Sequence, residues 1–430
     1  MKSTKAKTCH ENLKLLLFLL PLFLISITSC EPARRASNQN VAFLYKKEAP
    51  VFNPEYTVVH VNDSLSELLF KIPSNQVLYA RPNSGMPFAA QVKVSYRVFD
   101  DFDAHIIYDT ASIIMNDIEN FDLLKDLVGN IRFRANQGMN YVLEVTMADI
   151  NRNRSRKQFI NVEKANNNSR HNFIAKDLET NIPAFGNLVK NKMSLQYAFP
   201  HREHLYIRYY NRDFGIAPPP FAMVSPRPFE YRADSVFMLH LENQKAILDF
   251  NQKGFYHIQV DTLMNRNGYT LFNFNSTFPE IKSVDEMISP LRYITSKSEH
   301  EAMANATNKK EALDQFWINA AGNPERAREL ISIFYNRVQD ANLHFSSFIE
   351  GWKTDRGMIY IIFGPPNVLY KTSDTESWIY GEDQNMMSLT FNFMNIENPF
   401  TDNDYSLDRS VIYKNNWHRA VDTWRQGRVF

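Results

Sequence analysis

The chain has 430 residues, a formal net charge of +1 and charges scattered along its length. That balance offers no electrostatic footprint for nucleic acid, which is excluded as an expected partner. The chain holds 32 Phe and 20 Tyr but only 13 Gly, a composition that suits half-buried pleated surfaces and argues against a fold built on glycine-rich phosphate loops. The aromatic excess reads as core and sheet packing in preference to a platform for stacking sugars.

At the amino terminus, Lys2, Lys5, Lys7 and Lys14 precede an apolar run that ends at Cys30. The run is too short for a stable membrane span and has the layout of a secretory signal over residues 1–29. Ile27-Thr28-Ser29-Cys30 resembles the bacterial lipobox, whose cysteine is acylated and becomes the new amino terminus. The competing reading is an ordinary signal peptide cleaved elsewhere, with Cys30 incidental. Cys9 lies in the segment to be removed, so Cys30 has no intramolecular disulfide partner in the mature chain. Two or three acyl chains hold a protein to a bilayer stably, so the membrane is an expected partner through the anchor.

Beyond the cysteine, residues 30–45 read as a tether, since the polar stretch from Ser37 to about Pro50 has no sustained periodicity. From residue 46 to 165 short alternating segments predict a β-sandwich. Val92, Val94, Tyr96 and Val98 alternate with polar neighbours, and 141–147 and 158–162 flank the basic hairpin tip Asn151 to Arg156. The tip is either a solvated turn or a contact for acidic lipid or a partner.

A second sandwich is expected over 166–283, with strands at 194–197, 205–209, 235–239, 255–260 and 269–274. Asn267-Gly268 suits a tight hairpin turn, and Pro218-Pro219-Pro220 must sit in a loop or on an edge. From 284 to 430 the pattern turns to mixed α and β. Ser283 and Glu286 have capping-box spacing, and a helix is predicted from Lys309 to Ala320. Asn323-Pro324 opens a longer helix with Ala327, Leu330, Ile331, Phe334, Val338 and Ala341 on one stripe. The last segment, Asn416 to Trp424, predicts an amphipathic helix ending near Gly427 that covers a sheet or binds another protein.

After the long helix comes Gly351-Trp352-Lys353-Thr354-Asp355-Arg356-Gly357, then Met358 to Phe363, Gly364-Pro365-Pro366 and, further on, Trp378-Ile379-Tyr380. These residues resemble the GWxTD-domain proteins of bacteria such as the Bacteroidetes, over roughly Met287 to Phe400. The resemblance implies an aromatic strand and a Gly-Pro-Pro turn after the motif, and no established reaction. Lipoproteins of that phylum displayed at the surface tend to carry an acidic run after the cysteine. None follows Cys30, which points to the periplasmic face of the outer membrane.

Within the motif, Gly351 and Gly357 can adopt conformations closed to other residues, and Thr354 and Asp355 can bond nearby backbone amides. Trp352 can plug the core, and Arg356 can pair with Asp355 or with a ligand carboxylate. The corner is then either a folding device or a site lined by Asp355, Arg356 and Tyr360. Elsewhere there is no G-x-S-x-G elbow, Walker loop, H-E-x-x-H motif or mature-chain cysteine nucleophile. His201 and His204 lack a third ligand for zinc, and Thr401 to Asp404 lack the spacing of a calcium loop. Asn62, Asn153, Asn167, Asn275 and Asn305 match glycosylation sequons, which the lipobox sets aside as bacterial.

No catalytic residue, metal or cofactor is therefore assigned. The expected molecule is mainly β and multidomain: two tandem β-sandwiches followed by a carboxy-terminal α/β (α+β) domain of the GWxTD type. The expected role is a lipid-anchored, non-enzymatic binding or scaffold component of an envelope assembly for secretion, motility or surface assembly, with an envelope protein as partner. The alternative is a periplasmic hydrolase or glycan-modifying enzyme using Asp355.

Overall fold

The computed structural model describes residues 36–46, 51–81, 83–120, 124–189, 192–198, 202–224, 229–262 and 267–429. The expected signal segment and Cys30 lie outside the described residues. The protein is mostly β, with its α-helices gathered in the carboxy-terminal part.

The first sandwich packs the antiparallel sheet β1 (Glu55–His60), β2 (Leu65–Pro73) and β5 (Asp126–Arg134) on a second sheet. That sheet has the order β4 (Asp109–Ile118), β3 (Ala89–Phe99), β6 (Asn140–Asp149), β7 (Arg154–Glu163). Strand β3 follows the alternation read from sequence: Val92, Val94, Tyr96 and Val98 are all buried in one core with Phe70, Phe133 and Leu143. Strand β2 hides its period, because Leu68, Leu69 and Phe70 are buried in succession.

The second sandwich repeats this topology. Strands β8 (Phe173–Asp177), β9 (Met193–Tyr197) and β12 (Lys245–Leu248) form the smaller sheet. The larger has the order β11 (Ser235–His240), β10 (His204–Tyr210), β13 (Gly254–Gln259), β14 (Tyr269–Asn273). In both units the first, second and fifth strands face a sheet ordered fourth, third, sixth, seventh, a Greek-key sandwich of the immunoglobulin-like class. Pro218 to Pro220 lie outside the strands, where their missing N–H groups cost no ladder bond. Asn267-Gly268 directly precedes β14, and nine residues, 260–268, separate the end of β13 from its start, so the pair does not form a two-residue hairpin.

The carboxy-terminal part begins with α1 (Val284–Ile288), capped by Ser283 and Glu286 in a complete capping box. It continues through α2 (Lys297–Ala304), α3 (Lys309–Ala321) and α4 (Pro324–Phe345), with Gly322 at φ +83° ending α3 in the left-handed conformation. Helix α5 (Asp355–Phe363) follows, then a sheet of β15 (Val368–Lys371), β16 (Thr375–Tyr380), β17 (Leu389–Asn395) and β18 (Tyr405–Leu407), and α6 (Tyr413–Arg425). Trp317, Phe334, Phe345, Tyr360, Trp378 and Trp424 join these elements in one core. Trp417 and Trp424 of α6 are buried in it, and Tyr413 of the same helix donates from its hydroxyl to the Thr390 carbonyl of β17 at 3.0 Å. No described helix is long and apolar enough to cross a membrane.

Two further expectations are corrected. Residues 358–363, expected as an aromatic strand, belong to the helix 355–363, whose residues from Arg356 to Phe363 are all buried. A helix enclosed on every side is apolar all round and loses the period that distinguishes it from a buried strand. Residues 36–45, expected as a tether, are built into the carboxy-terminal core through Val41, Ala42 and Tyr45. The Val41 amide donates to the Leu369 carbonyl at 2.8 Å, and the Leu369 amide to Asn40 Oδ1 at 3.0 Å.

Candidate functional site

The corner between α4 and α5 is assembled from backbone upward. A Cβ on Gly351 would lie 2.0 Å from the Ala341 carbonyl oxygen, and one on Gly357 would lie 1.9 Å from the Gly351 carbonyl oxygen. Neither glycine has positive φ. Their role is therefore close approach of two chain segments, not the special backbone conformation expected from the sequence. Thr354 caps α5: its Oγ1 accepts from the Gly357 amide at 3.1 Å and donates to the Gly351 carbonyl at 2.8 Å. Trp352 is buried, its amide donating to Asn342 Oδ1 at 3.0 Å and its carbonyl accepting from the Tyr293 hydroxyl at 3.0 Å.

Asp355, the first residue of α5, faces outward from that corner to a partner across the domain. Its Oδ2 accepts from the Leu407 amide at 2.8 Å and from Arg409 Nη1 at 3.0 Å, while Arg409 Nη2 bonds Oδ1. This is a bidentate pair with both side chains about one-tenth exposed. Arg409 Nη2 also donates to the Pro218 carbonyl at 3.3 Å, and the Ala217 amide donates to the Lys353 carbonyl at 2.9 Å. The proline-rich loop of the second sandwich is thereby clamped to the motif.

Arg356 turns the other way, into the core. The expected pairing with Asp355 does not form. Its Nη1 donates to Glu376 Oε1 at 3.1 Å and its Nη2 to the Asn403 carbonyl at 2.9 Å, while its guanidinium lies 4.1 Å from the centre of the Tyr405 ring. Glu376 is fully buried and receives three further donors: Lys371 Nζ at 2.6 Å, the Tyr45 hydroxyl at 2.9 Å and Trp378 Nε1 at 3.0 Å. Burial pushes its carboxyl up, but Lys371 and Arg356 outweigh that and hold it down at about 2. Tyr360 completes the node by donating from its hydroxyl to the Tyr45 carbonyl at 2.8 Å.

Chemically, the node is a set of internal bonds in which only Arg356 Nε and Arg409 Nε, among the polar side-chain atoms named, are buried without a hydrogen-bond partner. Asp355 Oδ1 accepts from Arg409 and Oδ2 from Arg409 and the Leu407 amide, and Thr354, Tyr360 and the Arg356 Nη atoms bond to this same chain. A cleft of about 530 Å³ lies beside Trp352 and Lys353, walled by residues 213–216. Among the described residues, no group of three or more His, Cys, Asp or Glu is placed to hold a metal ion. His201 is outside the described residues, and His204 Nε2 lies 3.1 Å from the Tyr206 hydroxyl. Asp402 pairs with Arg170 at 2.8 Å, which ties the carboxy-terminal part to the link after the first sandwich. In the basic hairpin, Arg152 bonds the Gln76 carbonyl at 3.1 Å and Arg156 bonds those of Phe52 at 3.2 Å and Leu44 at 3.1 Å.

Glu376, Arg409 and Tyr45 were missed by sequence reasoning. A signal existed for Glu376, since in a strand it shares a face with Trp378, and a carboxylate on a tryptophan's buried face needs cations. Tyr45 and Arg409 carried none, because they reach the motif only through the tertiary fold.

No curated protein matches the chain. The model of the GWxTD domain family matches residues 254–426. That span starts at the first residue of β13 and thus includes two strands of the second sandwich as well as the whole corner. By the motif and by this match, residues 254–426 of the chain form a GWxTD domain.

Proposed function

We propose that the protein is a lipid-anchored, non-enzymatic scaffold or binding component of a bacterial cell-envelope assembly, of the Bacteroidetes type, on the periplasmic face of the outer membrane. The observation that carries the reading is the inward commitment of the motif. Its polar groups bind the amino-terminal segment, the proline-rich loop and the carboxy-terminal sheet of this same chain, which is the behaviour of a clamp. The engagement of both Asp355 oxygens by Arg409 and the Leu407 amide supports this role over general acid or base chemistry at that carboxylate.

The built-in segment also gives the anchor a consequence. Only five residues separate Cys30 from Ala36, a reach of about 20 Å when extended. Acylation at Cys30 would hold the GWxTD domain, last in sequence, beside the bilayer. The partner on this reading is an envelope protein of secretion, motility or surface-assembly machinery. The test is crosslinking of native membranes followed by mass spectrometry, with Cys30→Ser alongside. A stoichiometric envelope protein, and loss of acylation and membrane retention in Cys30→Ser, is the expected result. Recovery of the chain alone, with turnover of a substrate, overturns it.

A further inference from the structure

The loop between β17 and β18 stands where all three parts of the molecule meet. On one side it closes a cavity of about 320 Å³ lined by Tyr210, Tyr231, Phe400, Arg208, His257 and Glu397, among others. On the other it borders a second hollow of about 260 Å³ that shares residues 397–400 and is rich in amides: Asn140, Asn166, Asn187, Asn267, Asn395 and Asn398. The first sandwich, the second sandwich and the GWxTD domain all contribute to the pair. Junctions of this kind are where ligand sites are preferentially found.

We infer that these adjoining cavities form a binding site for a neutral oligosaccharide, with one sugar ring against Tyr231 and Phe400 and its neighbour among the asparagines. The aromatic wall supplies an apolar face: Tyr231 and Phe400 lie 24° from parallel with centres 6.0 Å apart, and Tyr231 is half exposed. Hydroxyl groups on the ligand answer the rest of the lining, since amides donate and accept in equal measure. His257 adds a specific vacancy for such a group. It is 1% exposed, its Nδ1 is 2.8 Å from Thr270 Oγ1, and its Nε2 is buried with no hydrogen-bond partner. Burial and the Arg208 charge hold this imidazole down at about 3, so it meets a ligand as a neutral ring.

Charge selects against acidic sugars. Arg170 is shared between Glu163 and Asp402, so the amide-rich hollow keeps a net negative character, and Glu397 adds to it at the shared wall. Arg208, the cation of the first cavity, is held by Gln259 Oε1 at 2.8 Å and the Thr262 carbonyl at 2.9 Å, and Glu397 on the same lining balances its charge. An anionic ligand would face repulsion that a neutral polyol does not.

The experiment is saturation-transfer NMR on the purified full chain in detergent, with maltotriose and triacetylchitotriose as neutral probes and trigalacturonate as the acidic one. Saturation of at least one neutral probe, weaker transfer to trigalacturonate, and about tenfold weaker binding by Tyr231→Ala at an unchanged melting temperature are expected. His257→Phe, which keeps a ring and removes Nε2, should also weaken binding. Silence from both neutral probes, preference for trigalacturonate, or binding untouched by Tyr231→Ala overturns the inference. The readout is independent of the anchor and of any protein partner, so its failure leaves the scaffold reading standing and the reverse also holds.

Discussion

The two β-sandwiches have the same strand order and opposite relations to the rest of the chain. In the first, the inner faces of the two sheets close on one another in a core of their own, with Phe70, Val94, Phe133 and Leu143. In the second, Tyr210, Phe255 and Phe272 of the corresponding larger sheet enter a shared aromatic cluster with Phe348 and Phe400 of the GWxTD domain. Tyr210 stacks on Phe255 at 4.7 Å, and Phe255 meets Phe400 edge-on at 5.0 Å. One topology therefore keeps a core of its own in the first case, touching the carboxy-terminal part through Phe159 and the Arg156–Leu44 bond, and lends a sheet face to a neighbour's aromatic cluster in the second. The family match beginning inside the second sandwich follows that physical boundary.

The comparison is broken most severely at the buried node. Glu376→Gln leaves Arg356 and Lys371 facing a neutral group and should cost about 3–5 kcal/mol, read as a fall in the urea midpoint. The loss should be largest above the ordinary carboxylate range and shrink as pH falls from 4.5 towards about 2, because a depressed carboxyl stabilises only while the unfolded chain is also ionised. Phe400→Ala should cost about 3–4 kcal/mol and, by cutting the shared core, split calorimetric unfolding into two transitions, whereas Val94→Ala in the first sandwich core should cost less and leave the second unit's transition unmoved. Gly357→Ala should destabilise by about 1–3 kcal/mol, since the contact with Gly351 outweighs any gain in helix propensity; a more stable variant would contradict the packing argument.

The smallest effect has the opposite sign. Burial pushes the Asp404 carboxyl up to about 6, with Arg356 opposing and Asp355 assisting. A raised carboxyl penalises the folded state as pH climbs from 3.8 to about 6. Asp404→Asn should then stabilise by about 1–2 kcal/mol at neutral pH and by little below pH 3.8, a trend that denaturant titrations at the two pH values would reveal.

Legibility in the sequence followed the same division. Strand β3, the hairpin around Asn153, the Ser283 cap and the Asn323-Pro324 start of α4 announce themselves through local period and local chemistry, and the structure contains each of them. What was illegible depends on contacts distant in sequence. The helix at 355–363 looks like a strand because its surroundings are apolar on every side. The segment 36–45 looks like a tether because its anchors, Leu369, Glu376 and Tyr360, lie more than 300 residues away. The motif residues themselves were correctly singled out, but their partners could not be, since Arg409 and Glu376 meet them only after the sheet and α5 have docked.

The central claim, that the motif is an internal clamp, is tested most directly by Asp355→Asn. Its melting temperature and hydrogen exchange should be compared with those of the unaltered chain. The account predicts a loss of about 2 kcal/mol and faster exchange confined to residues 214–222 and 405–409, the segments that Asp355 and Arg409 hold. An unchanged melting temperature and unchanged exchange, together with loss of a partner or of a turnover, would contradict it and make the corner a working site.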